Sequence, residues 1–138
     1  MNQPLLLDTC AAIWIMENEY MTDAAVAAVD ESFDIGKPVF VSPVTAWEIG
    51  ALSRKGRFKS SLPPHRWFER LLHTDGIHLC ELPVNVLLDS SFLPGPIHKD
   101  PADRIIAATA REYGFTVMTR DQALLDYGAE GYLSVLEC

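Results

Sequence analysis

Five short apolar runs, separated by segments with a helical spacing of apolar residues, restrict the fold of this chain more than any other feature. Each run is a few residues long and largely apolar, as expected of a parallel strand that is covered on both faces. The runs are Leu5–Leu7, Val39–Val41, Ile77–Leu82, Phe115–Met118 and Leu133–Leu136. Their alternation with helical segments predicts an α/β domain with a mostly parallel sheet.

Segments in which apolar residues recur every three or four positions predict six helices. The segments are Cys10–Glu17, Thr22–Phe33, Pro43–Lys55, Arg66–His73, Val84–Ser91 and Pro101–Tyr113. With 138 residues the chain is long enough to bury one core, and no linker or repeat divides it. We therefore predict a single domain over residues 1–138.

The amino terminus and the cysteines exclude several classes of protein. MNQPLLLD has no basic start, and its apolar run stops at Asp8, so we expect neither a signal peptide nor a membrane span. The expected location is the cytoplasm, with no membrane partner. The cysteines, Cys10, Cys80 and Cys138, are odd in number, far apart and without a CxxC pair, which argues against a disulfide framework or a structural zinc site.

The charge is unevenly distributed along the chain. A net charge of -8 would repel RNA if it were spread evenly. The first 36 residues hold seven acids and no lysine or arginine, whereas six of the eleven basic residues fall within residues 54–70. These six are Arg54, Lys55, Arg57, Lys59, Arg66 and Arg70. A solvated surface is the commoner cause of such a run, and a phosphate-binding patch is the alternative.

Four acids occupy junctions between the predicted elements. Asp8 ends the first strand, Asp121 follows the fourth strand, and Glu48 lies in the helix after the second strand. Ligands of parallel sheets bind at the carboxyl ends of the strands, near the point where the strand order reverses. Asp103 begins the helix before the fourth strand, and it completes a ring of four carboxylates if the preceding loop folds over the same edge.

The segment HKDPADRIIAATA places two acids at the start of an apolar helix. Pro101 suits the first helical position, which makes Asp100 the helix cap. Asp103 in the first turn either stabilises the helix dipole or binds a metal, and the residues of this segment leave both interpretations open. We expect His98 to be a loop residue, and Arg104 either to pair with a neighbouring carboxylate or to contact a phosphate.

Four facing carboxylates require neutralisation. Two like charges about 4 Å apart repel by roughly 4 kcal/mol at an effective dielectric constant of 20. Protonation of one or two acids relieves this repulsion, and so does Mg²⁺ or Mn²⁺, which prefers oxygen ligands. Such a metal site serves the hydrolysis of phosphodiesters.

The segments LLLDT, SPVTAWEIG with KGRF, HKDPADRIIAATA and GFTVMTRD resemble, in order and spacing, those of PIN-domain proteins. The chain is most similar to the VapC-type toxin ribonucleases of bacterial toxin-antitoxin pairs. The resemblance implies a three-layer fold with a central five-stranded parallel sheet and helices on both faces. It also implies an endoribonuclease that depends on Mg²⁺ or Mn²⁺, a homodimer, and a small antitoxin that blocks the site.

The same resemblance implies roles for individual residues. Asp8 and Asp103 would hold the main metal, Asp121 a metal or its waters, and Glu48 a second metal or the attacking water. Residues that would support them are the carboxylate-orienting hydroxyls of Thr9 and Thr119 and the RNA contacts Arg54, Lys55, Arg57, Lys59 and Arg104. Cys10 stands where the family commonly has histidine or asparagine, and we have no account of this departure.

Two other functions remain as alternatives. The first is a magnesium-binding phosphatase or signalling domain, although the phosphatases place a second aspartate two positions after the first, where this chain has Cys10. The second is a catalytically inactive PIN-like binding module.

Two sets of apolar residues are predicted either to pack within the domain or to bind a partner. Trp14, Trp47 and Trp67 are expected to pack within helices. An apolar group near Asp8 is expected to receive an antitoxin helix if it is exposed; its members are Ile13, Trp14, Met16, Tyr20 and Met21.

Overall fold

The computed structural model describes residues 3–97 and 99–138, so His98 lies outside the described residues. Five parallel strands form one sheet in the order β3-β2-β1-β4-β5. The strands are β1 (Leu5–Leu7), β2 (Val39–Val41), β3 (Ile77–Leu79), β4 (Thr116–Thr119) and β5 (Ser134–Glu137). The helices are α1 (Thr9–Met16), α2 (Asp23–Asp34), α3 (Pro43–Arg54), α4 (Pro64–Leu72), α5 (Val84–Asp89), α6 (Pro101–Tyr113) and α7 (Gln122–Ala129).

Strand β1 is the centre of the sheet. Leu7 pairs with Val41 of β2 on one side and with Met118 of β4 on the other. From β1 the chain moves outward through β2 and β3, and then crosses back to add β4 and β5 on the opposite side. The strand order therefore reverses between β1 and β4, which is where parallel sheets form ligand-binding crevices.

Helices cover both faces of the sheet. Leu5 and Leu7 belong to an apolar cluster with residues of α1, α2 and α4, whereas Leu6 belongs to a second cluster with residues of α6 and α7. All three leucines are buried, because alternate side chains of a strand point to opposite faces and each face here is covered. This arrangement confirms the predicted α/β fold. Within residues 3–97 and 99–138, none of the helices has the length and apolarity needed to cross a bilayer.

Local sequence signals fix the starts of the helices that carry acids. The Ser42 hydroxyl accepts a hydrogen bond from a backbone N–H two residues on at 3.1 Å, and Pro43 is the first residue of α3. Asp100 accepts the equivalent bond at 2.9 Å, and Pro101 is the first residue of α6. Caps of this kind stabilise a helix by about 1 kcal/mol. Gly114 ends α6 with a φ of 72°, a left-handed conformation that suits glycine.

The predicted bounds of β1, β2 and α6 are confirmed, and so are the starts of β3, α3 and α5. The remaining predicted ends shift by one to three residues. Strand β3 was predicted to reach Leu82 but ends at Leu79, because its partner β2 is itself only three residues long. Helix α7 was not predicted. It is eight residues long and contains Gly128, which lowers its helical propensity.

Candidate carboxylate site

Asp8 follows the central strand β1 and caps helix α1. Its backbone N–H donates to the carbonyl oxygen of Met118 at 3.1 Å, which continues the pairing of β1 with β4. Its Oδ1 accepts from the N–H of Ala11 at 2.8 Å, and its Oδ2 accepts from the hydroxyl of Thr119. Only 4% of Asp8 is exposed, so hydrogen bonds to both oxygens hold a buried carboxylate in one orientation.

Thr119, the fully buried last residue of β4, connects two of the predicted acids. Its hydroxyl donates to Asp8 and accepts from the backbone N–H of Asp121 at 2.9 Å. Asp121 in turn caps α7, where its Oδ2 accepts from the N–H of Leu124 at 3.0 Å. One hydroxyl group therefore fixes the β4–α7 turn relative to Asp8.

Glu48 is half-buried in α3 and contacts the first turn of α1. Its Oε1 accepts from the hydroxyl of Thr9, whose oxygen lies 3.1 Å from the hydroxyl oxygen of Thr45. Because Thr9 gives its proton to Glu48, Thr45 is the donor in the second bond. Thr45 was not predicted as a site residue. Its position three residues before Glu48, on the same face of α3, is the sequence signal that identifies it.

Asp103 is the acid whose protonation responds most to its surroundings. Burial raises the pKa of Asp103 to about 8, with further upward effects from the charges of Asp100, Asp121, Glu48 and Asp8. Charges act on one another in this way only when they are close. Helix α6 therefore brings Asp103 to the sheet edge where the other three predicted acids lie.

Two further acids of the cluster also bind protons more tightly than an isolated carboxylate. Burial raises the pKa of Asp8, and Asp121 adds to the rise while hydrogen bonds to Asp8 oppose it. Burial likewise raises the pKa of Glu48, to which the charges of Asp100 and Asp8 contribute. The cluster thus concentrates negative charge where water screens it poorly.

Asp100 has a second effect besides its predicted role as a helix cap. It is exposed, and its Oδ1 caps α6, as the sequence predicted. Its charge nevertheless raises the pKa of both Asp103 and Glu48. The signal was present in the DPAD spacing, because residues three apart lie on one side of a helical turn.

The donor set suits a hard divalent cation. Asp8, Glu48, Asp103 and Asp121 offer only carboxylate oxygens, the ligands that Mg²⁺ and Mn²⁺ prefer. A cation would also relieve the repulsion that adds to the effect of burial on the pKa of Asp103. Among residues 3–97 and 99–138, however, no three carboxylate, imidazole or thiol groups are arranged as a ready metal-binding group. The site therefore fits such a metal by its chemistry and not through a preformed cage.

Cys10 lies next to the cluster but is poorly suited to nucleophilic chemistry. The residue is exposed, yet desolvation of its thiol and the nearby charges of Asp8, Glu48 and Asp103 raise its pKa to about 12. The reactive form of a cysteine is the thiolate, which this environment disfavours.

The predicted RNA contacts lie at the surface. Four of them, on the last turn of α3 and the chain that follows it, are exposed: Arg54, Lys55, Arg57 and Lys59. Arg104 is half-buried, and its Nε donates to the carbonyl oxygen of Ser90 at 2.8 Å. This bond ties α6 to the end of α5, next to Asp103.

The apolar group expected to receive an antitoxin helix is partly exposed. Ile13, Trp14, Met16 and Met21 are half-buried and pack against the core, whereas Tyr20 is 78% exposed. The exposure that this expectation requires is therefore present at Tyr20 and partial at the other four residues.

The expectation that all three tryptophans pack within helices is wrong for one of them. Trp67 is fully buried, whereas Trp47 is 63% exposed. Helical spacing places a residue on a face but does not determine whether another element covers that face.

Comparison with known proteins identifies the family that this chain matches. The PIN domain family model matches residues 5–130. Ribonuclease VapC22 of Mycobacterium tuberculosis is 32% identical over 124 residues, which cover 87% of this chain and 88% of the relative.

Two solved structures share the fold at low sequence identity. VapBC2 from Rickettsia felis, bound to a DNA fragment from its promoter, contains a chain with a TM-score of 0.67 and 12% identity, covering 96% of this chain and 97% of that one. DNA-bound VapBC from Salmonella typhimurium contains a chain with a TM-score of 0.64 and 16% identity, covering 99% of this chain and 98% of that one.

Proposed function

The chain belongs to the PIN domain family, and from this membership and the carboxylate site we propose that it is a metal-dependent endoribonuclease that cleaves RNA phosphodiester bonds. The observation that supports the proposal is that four acids from four elements lie close enough to influence one another electrostatically, two of them following β1 and β4. Asp8, Glu48 and Asp121 all act on the pKa of Asp103. A purely structural role does not account for such a cluster, because its charges repel one another in a partly buried place.

The four carboxylates would hold Mg²⁺ or Mn²⁺. Asp8 and Asp103 are the main ligands in this proposal, Asp121 binds the metal or its waters, and Glu48 holds a second metal or positions the attacking water. A bound divalent ion supplies an activated water and neutralises charge that develops on the phosphate. The chain contributes orientation: Thr119 directs Oδ2 of Asp8, and Thr9 directs Oε1 of Glu48.

The proposed substrate is RNA, held near the site by phosphate contacts. The exposed basic residues that follow Glu48 on α3 and beyond are suited to this role, because phosphate contacts position a nucleic acid without reading its sequence. They are Arg54, Lys55, Arg57 and Lys59, with Arg104 as a further candidate beside Asp103.

We also propose that the protein acts as the toxin of a toxin-antitoxin pair, that a small antitoxin blocks the site, and that the toxin forms a homodimer in the cytoplasm. The support for the antitoxin is that two of the solved structures with this fold are VapBC complexes bound to DNA. Binding of an antitoxin would also reduce the repulsion among the acids, because cationic side chains placed at the cluster would neutralise its negative charge.

The test is cleavage of bacterial RNA by the purified chain without an antitoxin. Total RNA is incubated with the protein and Mg²⁺ or Mn²⁺, with EDTA as the control, and the new RNA ends are mapped. Discrete cuts that disappear with EDTA support the proposal and identify the target. A folded protein that binds Mn²⁺ but makes no cuts would instead favour an inactive PIN-like binding module.

A further inference from the structure

Arg120 connects three separate parts of the chain next to the carboxylate site. Its guanidinium carbon lies 3.4 Å from the centre of the Trp14 ring, so the two planar groups are in direct contact. The terminal nitrogen Nη2, which carries two hydrogens, donates to the main-chain oxygens of Tyr20 and Cys138, each at 3.0 Å. The Nε group donates to the Cys138 oxygen as well, at 3.3 Å.

These contacts link the two segments that carry Asp8 and Asp121. Trp14 belongs to α1, the helix that Asp8 caps, whereas Arg120 immediately precedes Asp121 in the β4–α7 turn. On the inner side of the turn, the hydroxyl of Thr119 already joins Asp8 to the N–H of Asp121. The stacking of Arg120 on Trp14 is thus a second connection between the same two segments, made on a different side of the turn.

We propose that Arg120 is a positioning residue: with Trp14 it fixes the separation of Asp8 and Asp121 and so determines how tightly the site binds a divalent cation. This inference rests on the proposed function, because it assigns Arg120 a role at the proposed metal site. No three ligands of the site form a ready metal-binding group among the described residues. Asp8 and Asp121 repel each other when both are ionised, and contacts outside the carboxylates, such as the stacking of Arg120 on Trp14, oppose that repulsion.

Arginine suits this role better than lysine does. A guanidinium group is planar, stacks on an aromatic ring and presents several N–H groups in fixed directions at the same time. A lysine ammonium group keeps the positive charge but offers neither the flat face nor the fork that reaches two main-chain oxygens. The Arg120→Lys variant therefore keeps the positive charge but loses the positioning contacts, so it separates the two effects.

The experiment measures the dissociation constant for Mn²⁺ by electron paramagnetic resonance. The titrations are done at a low temperature at which circular dichroism shows that every variant is folded. We expect Arg120→Met, Arg120→Lys and Trp14→Leu each to weaken Mn²⁺ binding by about tenfold, a loss typical of residues that orient metal ligands. The double variant of Trp14→Leu with Arg120→Met is expected to lose little more than either single variant, because both remove the same contact.

Arg111→Met is the matched control. Arg111 is also an exposed arginine that donates to a main-chain oxygen, that of Tyr132 at 2.5 Å, but it lies in the last turn of α6, at the other end of the sheet. It is expected to bind Mn²⁺ like the unmodified protein. If Arg120→Met lowers the melting temperature yet leaves the Mn²⁺ dissociation constant within twofold, Arg120 is only structural and the inference fails.

The two levels of the proposal fail in different ways. If the unmodified protein binds no Mn²⁺, or binds it equally well after Asp103→Asn, the proposed metal site itself is wrong and the role of Arg120 falls with it. If the unmodified protein binds Mn²⁺ through Asp103 and the Arg120→Lys variant binds as tightly, only the positioning role is overturned.

Discussion

The hydroxyl of Thr119 donates a hydrogen bond to Oδ2 of Asp8 across 111 positions of sequence. The two residues follow paired positions of the neighbouring central strands, where Leu7 is in register with Met118. The bond therefore depends on the parallel pairing of β1 with β4 and on nothing local to either residue. The orientation of Asp8 in the proposed metal site therefore depends on the pairing of these two strands.

Thr119→Val removes this bond while keeping the shape of the side chain. We expect Mn²⁺ affinity to fall by about 10- to 100-fold, because the Asp8 carboxylate loses the group that orients it. Thr119→Ser keeps the hydroxyl and is expected to bind within a few-fold of the original protein. A calorimetric titration of both variants with Mn²⁺ checks this, and equal affinity in the two would contradict it.

The pH dependence of stability follows from the raised pKa of Asp103. Its folded-state value is about 8, whereas an aspartate in an unfolded chain titrates near pH ~3.9. Between about pH 4 and pH 8 the folded state therefore binds more protons, so the free energy of unfolding decreases as pH rises through this window.

Urea denaturation in EDTA, compared between the original protein and Asp103→Asn, isolates this contribution. We expect the variant to gain stability relative to the original as pH rises from roughly 5 to 8.5, because the amide cannot ionise. A gain of ~1 kcal/mol corresponds to about 3–5 °C in melting temperature for a domain of this size. Stability differences that do not change with pH would show that Asp103 titrates normally.

Local folding signals explain which parts of the fold and of the candidate site could be predicted from the sequence. The bounds of β1, β2 and α6 were predicted because apolar runs, caps and proline at the helix start are local signals. The acids at strand ends followed from them. The family, the five-stranded sheet and its two helical layers are likewise confirmed.

Long-range contacts account for what sequence analysis missed. The presence of Asp103 at the cluster depends on the path of residues 90–100, and the stacking of Arg120 on Trp14 joins positions that no periodicity relates. Trp47 is expected to pack because its spacing is helical, but it is largely exposed. Helix α7 is only eight residues long and contains Gly128, a weak helix former, so its pattern did not stand out.

Binding of a divalent cation is expected to stabilise the folded protein. Mn²⁺ at about 100 times its dissociation constant adds ~2.7 kcal/mol if it binds only the folded state. Asp103→Asn is expected to lose most of this gain, since it removes both a ligand and a negative charge. Thermal unfolding with and without Mn²⁺ measures the difference, and an equal shift in the two proteins would place the metal elsewhere.

The exposed basic residues after Glu48 are expected to contact RNA phosphates. In an Asp103→Asn background, where RNA is not cut, Arg57→Gln or Lys59→Gln is expected to lower the slope of log affinity against log salt by about 0.7 for each lost contact with single-stranded RNA. Arg111→Gln, at the opposite edge of the sheet, serves as the control. Filter binding over a range of salt concentrations provides the slopes, and unchanged slopes would remove these residues from the proposed RNA surface.

The proposed site requires Asp103 for catalysis and Asp100 only for the helix cap. RNA cleavage by two matched variants tests this difference most directly. Asp100→Asn keeps a good cap and is expected to cut RNA within several-fold of the original rate. Asp103→Asn is expected to lose at least ~100-fold, a transition-state effect of about 2.7 kcal/mol. Cleavage by Asp103→Asn at the original rate, or an equal loss in both variants, would contradict the assignment of the site.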